Sequence, residues 1–338
     1  MAEQHRVAVL GGGSFGTVIA NIMAGNGHVV RLWLRKGERA DEINQQHVNS
    51  AYLPDLRLHH NLSATTVLAD AVADCDIVFV AVPSKSSREV ARSLAPLLAE
   101  GVMLISTTKG IELNGFKLMS QVLAEEIPQA RIGVLSGPNL ASEIAAGQIT
   151  ATVIASGDEA LNDTIQALLR SRTFRVYDSN DVFGVELGGA LKNVYAIITG
   201  MAAAQNIGQN TISVLITRSL AEMSRFAVQK GADPMTFLGL AGVGDLIATC
   251  MSPLSRNYRV GYELGKGRSL DEIVTELGQV AEGVNTLKVI KQHADDMGVY
   301  MPLVTALYNV IYNGKTVGEV VGNMMFSEQG RDVEFTVK

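Results

Sequence analysis

The sequence predicts a chain in two parts, an α/β half with a mostly parallel sheet and then an all-helical half. Short apolar runs alternate with amphipathic stretches up to about residue 180, which is typical of strands covered by helices on both faces. After that point strand-like runs nearly vanish and long helical stretches follow. Because 338 residues suit two domains, we predict one at 1–180 and one at 181–338.

The individual elements follow from hydrophobic periodicity and from the glycines and prolines that end it. The predicted strands are Val7–Leu10, Val29–Trp33, Ile77–Val82, Met103–Ser106, Ile132–Leu135, Thr152–Ala155 and Phe174–Tyr177. Helices are predicted between them, for example at Ser87–Leu98 and Asn114–Glu126. In the second half the predicted helices are Val182–Ala204, Thr211–Lys230, Ser255–Leu264, Leu270–Leu277, Glu282–Met297 and Pro302–Tyr312.

Composition narrows the class of protein. A net charge of -6 argues against a general nucleic-acid binder, which would carry a basic balance. The two cysteines, Cys75 and Cys250, indicate buried thiols in a reducing compartment. The first residues do not form a signal peptide, and the apolar run Val194–Ala204 is shorter than the ~20 residues of a membrane span. We therefore expect a cytoplasmic protein without a membrane span.

A glycine motif follows the first predicted strand. Gly11, Gly13 and Gly16 fit the pattern G-x-G-x-x-G and open a predicted helix. In this context the first glycine permits a tight turn, the second lets the backbone approach a pyrophosphate, and the third allows close helix packing. A plain glycine-rich turn is the alternative. The flanking strand and helix favour a Rossmann-type dinucleotide-binding domain.

The residues after the second predicted strand bear on the choice of cofactor. An acidic residue that binds the ribose of NAD usually stands there, about 20 residues beyond the glycines. This chain has Arg35 and Lys36 instead, two cations suited to the 2′-phosphate of NADPH. The alternative is a solvated pair of loop cations, with Glu38 serving the ribose. We expect NADPH as the cofactor, with NADH as the alternative.

Lys192 is the first candidate for proton transfer. It lies in an otherwise apolar predicted helix, with Gly188, Ala196, Gly184 and Gly200 spaced at multiples of four residues from it. Each interior glycine costs ~1 kcal/mol relative to alanine, so this trough of small residues needs a reason. One reason is the close approach of a ligand or another element. The alternative is helix packing, with Lys192 extending to solvent.

For three other polar residues, pattern alone does not decide between a role in a functional site and an ordinary structural or surface role. Lys109 follows a buried strand and is either a crevice cation or a turn lysine. Asp245, at the end of the glycine cluster Gly239–Asp245, either caps a helix or orients an ammonium. Arg256, between Ser255 and Asn257 at a predicted helix start, either binds phosphate or is exposed. No spacing indicates a metal site.

Together these pieces resemble the bacterial-type NAD(P)-dependent glycerol-3-phosphate dehydrogenases over essentially the whole chain. The matching stretches are Gly11–Gly16, Asn49–Pro54, Ala81–Ser84, Thr108–Glu112, Ser136–Asn139, Leu187–Val194, Gly239–Asp245, Thr249–Cys250, Ser255–Asn257 and Gln279–Gly283. The glycine motif is shared by many dehydrogenases. The combination of the Lys192 helix, the Gly-Asp cluster and the Ser-Arg-Asn triplet is specific to this family.

The resemblance implies a Rossmann-type NAD(P)-binding domain followed by an all-α C-terminal domain like that of 6-phosphogluconate dehydrogenase. It implies reversible reduction of dihydroxyacetone phosphate to sn-glycerol 3-phosphate, with Lys192 and Asp245 as catalytic residues. The implied substrate contacts are Lys109, Gly137, Asn139, Lys192, Asp245, Ser255, Arg256 and Asn257. The implied cofactor contacts are Ser14, Phe15, Arg35, Lys109, Ala141, Arg256, Val280 and Glu282, which join Gly11, Gly13, Gly16 and Lys36 from the motif and the cation pair.

Several alternatives stay open at this stage. A reductase of another small keto acid, such as 2-ketopantoate, would have the same architecture, although the Ser-Arg-Asn triplet favours a phosphate. A non-catalytic dinucleotide-binding redox sensor would not need Lys192, Asp245 and Arg256 to converge. A homodimer, which is common in the family, also remains open.

Overall fold

The computed structural model describes residues 4–113, 115–277 and 281–325. Its contacts divide the chain into two compact units. Unit 1 comprises Met1–Glu112 and Lys117–Val182, and unit 2 comprises Leu113–Phe116 and Phe183–Lys338. The functional domains at 1–180 and 181–338 remain a prediction. That prediction did not include the assignment of Leu113–Phe116 to unit 2.

Unit 1 is built on a single eight-stranded sheet in the order β3-β2-β1-β4-β5-β6-β7-β8. The strands are β1 (Arg6–Leu10), β2 (Val29–Trp33), β3 (Leu62–Thr65), β4 (Ile77–Val80), β5 (Met103–Ser106), β6 (Arg131–Ser136), β7 (Thr150–Ala155) and β8 (Phe174–Ser179). All neighbours pair in parallel except β6 and β7. The predicted mostly parallel sheet is confirmed. β3 was not predicted, because four residues with alternating polar positions give too short a signal.

Helices connect these strands. They are α1 (Ser14–Gly25), α2 (Gly37–Gln46), α3 (Leu68–Val72), α4 (Ser84–Leu94), α5 (Met119–Glu126), α6 (Ala141–Ala145) and α7 (Glu159–Leu169). α4 begins three residues before its predicted start, directly after Pro83, whose fixed φ suits a helix start. The prediction of helix from Asn114 was wrong for the described residues before Met119. There the backbone forms a bridge between Ile111 and Leu118 instead.

The central strands of unit 1, such as β1 and β4, are buried on both faces. In β1, Val7 and Val9 point into an apolar cluster that contains Ile19 of α1. Ala8 and Leu10 point into a second cluster that contains Leu94 of α4. Because successive side chains of a strand alternate between faces, continuous burial requires an apolar residue at every position. This is why the strand sequence shows a run of apolar residues without alternation.

Unit 2 is helical in its described residues. Its helices are α8 (Val182–Ala204, whose first residue belongs to unit 1), α9 (Gln209–Gln229), α10 (Asp245–Cys250), α11 (Arg256–Gly265), α12 (Leu270–Leu277), α13 (Glu282–Asp296), α14 (Pro302–Tyr312) and α15 (Val317–Met325). A 3-10 segment, Pro234–Leu238, and one π-helical turn, Leu240–Gly244, precede α10. The predicted all-α second half is confirmed. None of the helices in the described ranges is long and apolar enough to cross a membrane.

The small residues of α8 are explained by helix packing. A Cβ on Gly188 would lie 2.7 Å from the carbonyl oxygen of Ala241, and one on Gly200 would lie 2.1 Å from that of Tyr258. In return, a Cβ on Gly261 of α11 would lie 1.9 Å from the carbonyl oxygen of Ile197. At these contacts backbone meets backbone, so no larger residue fits without movement. Packing therefore accounts for these glycines, although Lys192 itself does not extend to solvent.

Candidate active site

The glycine loop connects β1 to α1 at the point where the strand order reverses between β1 and β4. Gly11 has a φ of +122°, and a Cβ there would lie 2.5 Å from the carbonyl oxygen of Ala81. A Cβ on Gly16 would lie 2.0 Å from the carbonyl oxygen of Gly11, so this glycine packs the helix on the loop. A Cβ on Gly13 would meet no atom within 4 Å. The protein itself therefore requires glycine at 11 and 16, and position 13 borders open space.

The first turn of α1 is suited to an anion. Gly13 is its N-cap, the helix has 12 residues, and its first turn carries no acidic side chain. Free N–H groups at such a helix start bind phosphate. Ser14 is half-buried at this start. The half-buried Phe15 packs against the apolar cluster beside the sheet, as does Ala141 at the start of α6, so both have a structural role as well.

The two cations after β2 are exposed. Arg35 and Lys36 stand between the strand and α2, where Lys36 is the N-cap. Glu38 lies in the first turn of α2 and is also exposed. The arrangement places two positive side chains at the carboxyl end of β2. This is the edge of the sheet that carries the glycine loop.

Lys109 follows β5 at the same edge of the sheet. Its Nζ donates a hydrogen bond to the Gly137 carbonyl oxygen at 2.9 Å. The Thr108 hydroxyl donates to the carbonyl oxygen of Val82 at 2.8 Å and so fixes the backbone before the lysine. Gly137 has a φ of +147°, and a Cβ there would lie 3.1 Å from Thr152 Cα. The structure thus joins Lys109 and Gly137, which the sequence analysis placed together at the substrate.

An ion cluster holds the segment after Lys109. The Arg88 guanidinium donates two hydrogen bonds to Glu112, at 2.6 and 2.8 Å, and one to Glu126 at 2.5 Å. These hydrogen bonds lower the pKa of the Glu112 carboxyl group. A bidentate contact of this kind fixes geometry as well as charge. The backbone that carries Lys109 is therefore anchored on both sides.

Asn139 lies in the loop after β6. Its Nδ2 donates to Thr152 Oγ1 at 2.9 Å, and that hydroxyl donates to the Ser136 carbonyl oxygen at 2.9 Å. Among the described residues, Asn139 Oδ1 and the Ser106 and Ser136 hydroxyl oxygens are buried without a hydrogen-bond partner. Buried polar atoms without partners are rare and mark places where a ligand or water belongs. All three stand at or just beyond the carboxyl ends of β5 and β6.

In unit 2, Lys192 is buried and paired with Asp245. The lysine residue is 6% exposed and the aspartate 1%. The ammonium donates hydrogen bonds to Asp245 Oδ1 and, at 2.7 Å, to Thr249 Oγ1. Asp245 and Thr249 stand four residues apart and share one face of α10. This contact brings together two of the three groups that were expected to converge, Lys192 and Asp245, and their catalytic role remains a prediction.

A π-helical turn positions Asp245. The Gly244 N–H donates to the Gly239 carbonyl oxygen at 3.2 Å, five residues back. A Cβ on Gly242 would lie 2.3 Å from the Phe237 carbonyl oxygen, so this turn needs its glycines. Such turns are frequent at functional sites. The glycine cluster therefore aims a carboxylate at α8 and is more than a helix cap.

The Ser-Arg-Asn triplet forms the start of α11. Ser255 is the N-cap, and its hydroxyl accepts a hydrogen bond from the Tyr258 N–H at 3.3 Å. Arg256, the first residue of the helix, is exposed. Asn257 Nδ2 donates to Asn193 Oδ1 at 2.9 Å, and Asn257 Oδ1 accepts from the Gly283 N–H at 3.0 Å. The triplet thus combines a capped helix start and an arginine with an asparagine that ties α8 to α13.

The last predicted cofactor contacts lie around the start of α13. Glu282 is its first residue and is half-buried. Val280 lies outside the described residues. Residues without a predicted role also hydrogen-bond at the site, among them Thr152 to Asn139, Thr249 to Lys192 and Asn49 to the glycine loop. Asn49 and Thr249 both lie in stretches that match the family, and Thr249 is also spaced four residues from Asp245, whereas Thr152 had no such signal.

A sheet with a glycine loop at its reversal point, together with a buried lysine–carboxylate pair, defines a dinucleotide-dependent oxidoreductase. Residues 6–162 match the NAD-dependent glycerol-3-phosphate dehydrogenase N-terminus, and residues 181–322 match the C-terminus of the same family. The chain belongs to the NAD-dependent glycerol-3-phosphate dehydrogenase family. The expected resemblance, enzyme class and NAD(P) dependence are thereby confirmed.

Named relatives and solved structures agree. Glycerol-3-phosphate dehydrogenase [NAD(P)+] of Pseudomonas fluorescens SBW25 is 58% identical over 99% of this chain and 98% of its own. That of Azotobacter vinelandii is 57% identical over the same shares. The crystal structure of glycerol-3-phosphate dehydrogenase from Coxiella burnetii has a TM-score of 0.91 at 34% identity, covering 96% of this chain and 99% of that one.

A ketopantoate reductase from Ralstonia eutropha shares the fold alone. Its TM-score is 0.57 at 15% identity, covering 95% of this chain and 99% of that one. The architecture is therefore common to both kinds of reductase, as the sequence analysis expected. The family match distinguishes this chain from ketopantoate reductases.

Proposed function

We propose that the chain catalyses the reversible, NADPH-dependent reduction of dihydroxyacetone phosphate to sn-glycerol 3-phosphate, which supplies glycerophospholipid synthesis. One observation carries the proposal beyond family membership: a buried ammonium, Lys192, hydrogen-bonded to the Asp245 carboxylate. Burial of charges is costly, so a buried ammonium–carboxylate pair calls for a chemical reason. A positioned proton donor for a ketone is such a reason.

The residues of unit 1 fit a dinucleotide. The proposed cofactor contacts are Gly11, Gly13, Ser14, Phe15, Gly16, Arg35, Lys36, Lys109, Ala141, Arg256, Val280 and Glu282. The open space at Gly13 and the uncapped start of α1 accommodate a pyrophosphate. A bound nicotinamide supplies the hydride for the carbonyl carbon. The cations Arg35 and Lys36 favour NADPH over NADH because they complement a 2′-phosphate.

The substrate phosphate is assigned to the start of α11. Arg256 presents a guanidinium, which binds phosphate with two parallel hydrogen bonds. Ser255 and the N-terminal N–H groups of the helix add donors at the same place. Asn257 has two Nδ2 hydrogens and uses one for Asn193, which leaves the other for the substrate. Lys109, Gly137 and Asn139 are assigned to the substrate as well.

Lys192 is assigned to proton transfer. It donates a proton to the carbonyl oxygen during reduction and accepts one during oxidation. Asp245 and Thr249 hold the ammonium in place, because each accepts one of its hydrogen bonds. Positive charge next to the oxygen stabilises the alkoxide as it forms. This pairing also limits the freedom of a long side chain, so the proton is delivered in one orientation.

The test is an NADPH-oxidation assay with dihydroxyacetone phosphate, repeated with NADH. We expect turnover with the phosphorylated ketone and none with dihydroxyacetone or 2-ketopantoate, and a higher kcat/KM with NADPH than with NADH. Turnover of 2-ketopantoate at an equal or higher rate would defeat the proposal. So would tight NADPH binding without turnover of any ketone phosphate, since that is the behaviour of a redox sensor.

The setting of this activity is part of the same proposal. We assign the enzyme to the cytoplasm, where thiols stay reduced, because Cys75 and Cys250 are both free and Cys250 is buried. We assign it no nucleic-acid partner, on the basis of its acidic balance. A homodimer is the assembly to test, by light scattering across a range of concentrations.

A further inference from the structure

Asn49 contacts the glycine loop and has no part in the function proposed above. It lies between α2 and β3, and the residue is 0% exposed. Its Nδ2 donates one hydrogen bond to the Gly12 carbonyl oxygen at 3.1 Å and another to Thr17 Oγ1 at 2.8 Å. An amide nitrogen carries two hydrogens, so both donors of Asn49 are used. One holds the loop and the other holds the first turn of α1.

Asn49 is itself fixed by the backbone. Its carbonyl oxygen accepts hydrogen bonds from the Tyr52 N–H at 3.1 Å and the Leu53 N–H at 2.9 Å. Leu53 is buried in the apolar cluster beside the sheet. The turn that carries Asn49 is therefore anchored in the core. An amide held this way can impose an orientation on its partners.

The Gly12 carbonyl matters because of the peptide to which it belongs. The peptide between Gly12 and Gly13 is trans, so its C=O and N–H point in opposite directions. A carbonyl that faces the buried Asn49 turns the Gly13 N–H away from Asn49. The loop can then present this N–H to a ligand without reorganising its backbone.

We propose that Asn49 is a positioning residue for the dinucleotide pyrophosphate. It orients the Gly12–Gly13 peptide and ties the loop to Thr17, so that the N–H groups of the loop and of α1 are preorganised together. Preorganisation raises affinity because the backbone does not have to be ordered when the ligand binds. The proposal rests on the dinucleotide site of the proposed function and adds a residue to it.

Asn162 provides a matched control in the same unit. It is 3% exposed, its Nδ2 donates to the Ser156 carbonyl oxygen at 3.1 Å, and its Oδ1 is buried without a partner, as is Asn49 Oδ1. It lies on α7 and makes no hydrogen bond to the glycine loop. Substitutions at the two asparagines therefore remove comparable buried amides. Only those at Asn49 should affect the dinucleotide.

The experiment measures the NADPH dissociation constant by fluorescence titration, together with Tm, for Asn49→Asp, Asn49→Ala, Asn162→Asp and Asn162→Ala. Aspartate keeps the shape but replaces both donors with acceptors, which repel the Gly12 carbonyl. We expect both Asn49 variants to weaken NADPH binding at least about tenfold. At saturating NADPH, the KM for dihydroxyacetone phosphate should stay within twofold of wild type. Both Asn162 variants should bind NADPH like wild type, whatever their Tm.

The outcomes separate this inference from the proposed function. A wild-type protein that does not bind NADPH defeats the proposed function. Wild-type NADPH binding with unchanged affinity in Asn49→Ala overturns the role of Asn49 alone. An equal loss of affinity in the Asn162 variants also overturns it, because the effect would then follow general destabilisation.

Thr17→Val tests the bridge to α1. It removes one acceptor of Asn49 and keeps the shape of the side chain. If Asn49 acts by tying the loop to the helix, the double variant Asn49→Ala/Thr17→Val should bind NADPH no more weakly than Asn49→Ala. Fully additive losses would overturn the bridging part of the proposal.

Discussion

The Lys192 ammonium donates a hydrogen bond to the Asp245 carboxylate across 53 positions of sequence, and both residues are buried. One partner stands on the long helix α8 and the other begins the short helix α10. Thr249 accepts a second hydrogen bond from the same ammonium at 2.7 Å. The pair therefore leads to separate predictions for the stability of the protein and for the proposed chemistry, and the two effects can be measured separately.

Breaking the pair should destabilise the protein more than replacing it. Asp245→Asn leaves a buried ammonium without its counter-charge, so we expect the free energy of unfolding to fall by about 3–5 kcal/mol. In Lys192→Met/Asp245→Leu both charges are gone, and most of that loss should be recovered. Urea unfolding followed by circular dichroism measures both. A double variant less stable than Asp245→Asn would contradict the prediction.

The kinetic role of Lys192 predicts a different pattern. Lys192→Ala should lower kcat by about 10²–10⁴-fold, the usual contribution of a positioned general acid. The NADPH dissociation constant should remain within twofold of wild type. Stopped-flow and steady-state oxidation of NADPH measure the effect, with Lys288→Ala, an exposed lysine of α13, as the control. A kcat near that of wild type would remove the catalytic role.

Glu222 predicts how stability depends on pH. Its buried carboxyl on α9 accepts hydrogen bonds from the Leu303 N–H at 2.6 Å and the Val304 N–H at 3.3 Å, at the start of α14. Burial raises its pKa from 4.5 to about 7, against the opposing effect of those hydrogen bonds. A raised folded-state pKa means that the folded protein binds the proton more tightly than the unfolded chain does. The resulting stability is complete below the unfolded value and is lost as pH rises through about 7.

Glu222→Gln should abolish this dependence. Between pH 4.5 and 8, the wild type should lose up to about 3 kcal/mol of unfolding free energy relative to the variant. Denaturant unfolding at several pH values measures the difference. Glu89→Gln, at an exposed position of α4, should follow the wild-type curve. Parallel curves for wild type and Glu222→Gln would show that the carboxyl group does not titrate in this range.

Arg35 and Lys36 should discriminate between the two cofactors. Removing both with Arg35→Ala/Lys36→Ala takes two cations from the 2′-phosphate, and charged hydrogen bonds contribute about 1.5–3 kcal/mol. We expect the dissociation constant of NADPH to rise about 10–100-fold while that of NADH changes less than threefold. Lys85→Ala, an exposed lysine of α4, controls for net charge. Equal losses of affinity for NADPH and NADH would mean that these cations do not bind the 2′-phosphate.

The sequence identified the elements well where the signal is periodic and long. Helices Val182–Ala204, Leu270–Leu277 and Pro302–Tyr312 begin and end where predicted. Short or irregular elements were missed, among them β3 and the π-helical turn before Asp245. Local pattern is weak there because tertiary contacts decide the conformation. The glycines of α8 show the same limit: their spacing signalled close approach, but the partner proved to be backbone of Ala241 and Tyr258.

For the candidate site, too, the sequence predicted some features and only the structure showed the others. The types and positions of Lys192, Asp245 and Arg256 followed from the family resemblance, because pattern alone left each of them open between a site and another role. The sequence does not show whether these groups contact one another, because distance along the chain carries no information on distance in space. Asn49 is the clearest example. An isolated asparagine in a loop gives no periodic signal, yet its amide holds the Gly12 carbonyl and Thr17 together.

The sequence by itself determined the α/β and all-α halves, the glycine loop and the residue types of the chemistry. The two halves and the loop depend on hydrophobic periodicity and on backbone geometry, both of which are local properties, whereas the residue types of the chemistry followed from the family resemblance. Only the tertiary structure decided that Lys192 is buried, that Thr249 accepts a hydrogen bond from its ammonium, and that Asn49 supports the glycine loop. Each of these depends on which distant backbones pack closely enough to exclude water, and packing is a property of the whole fold.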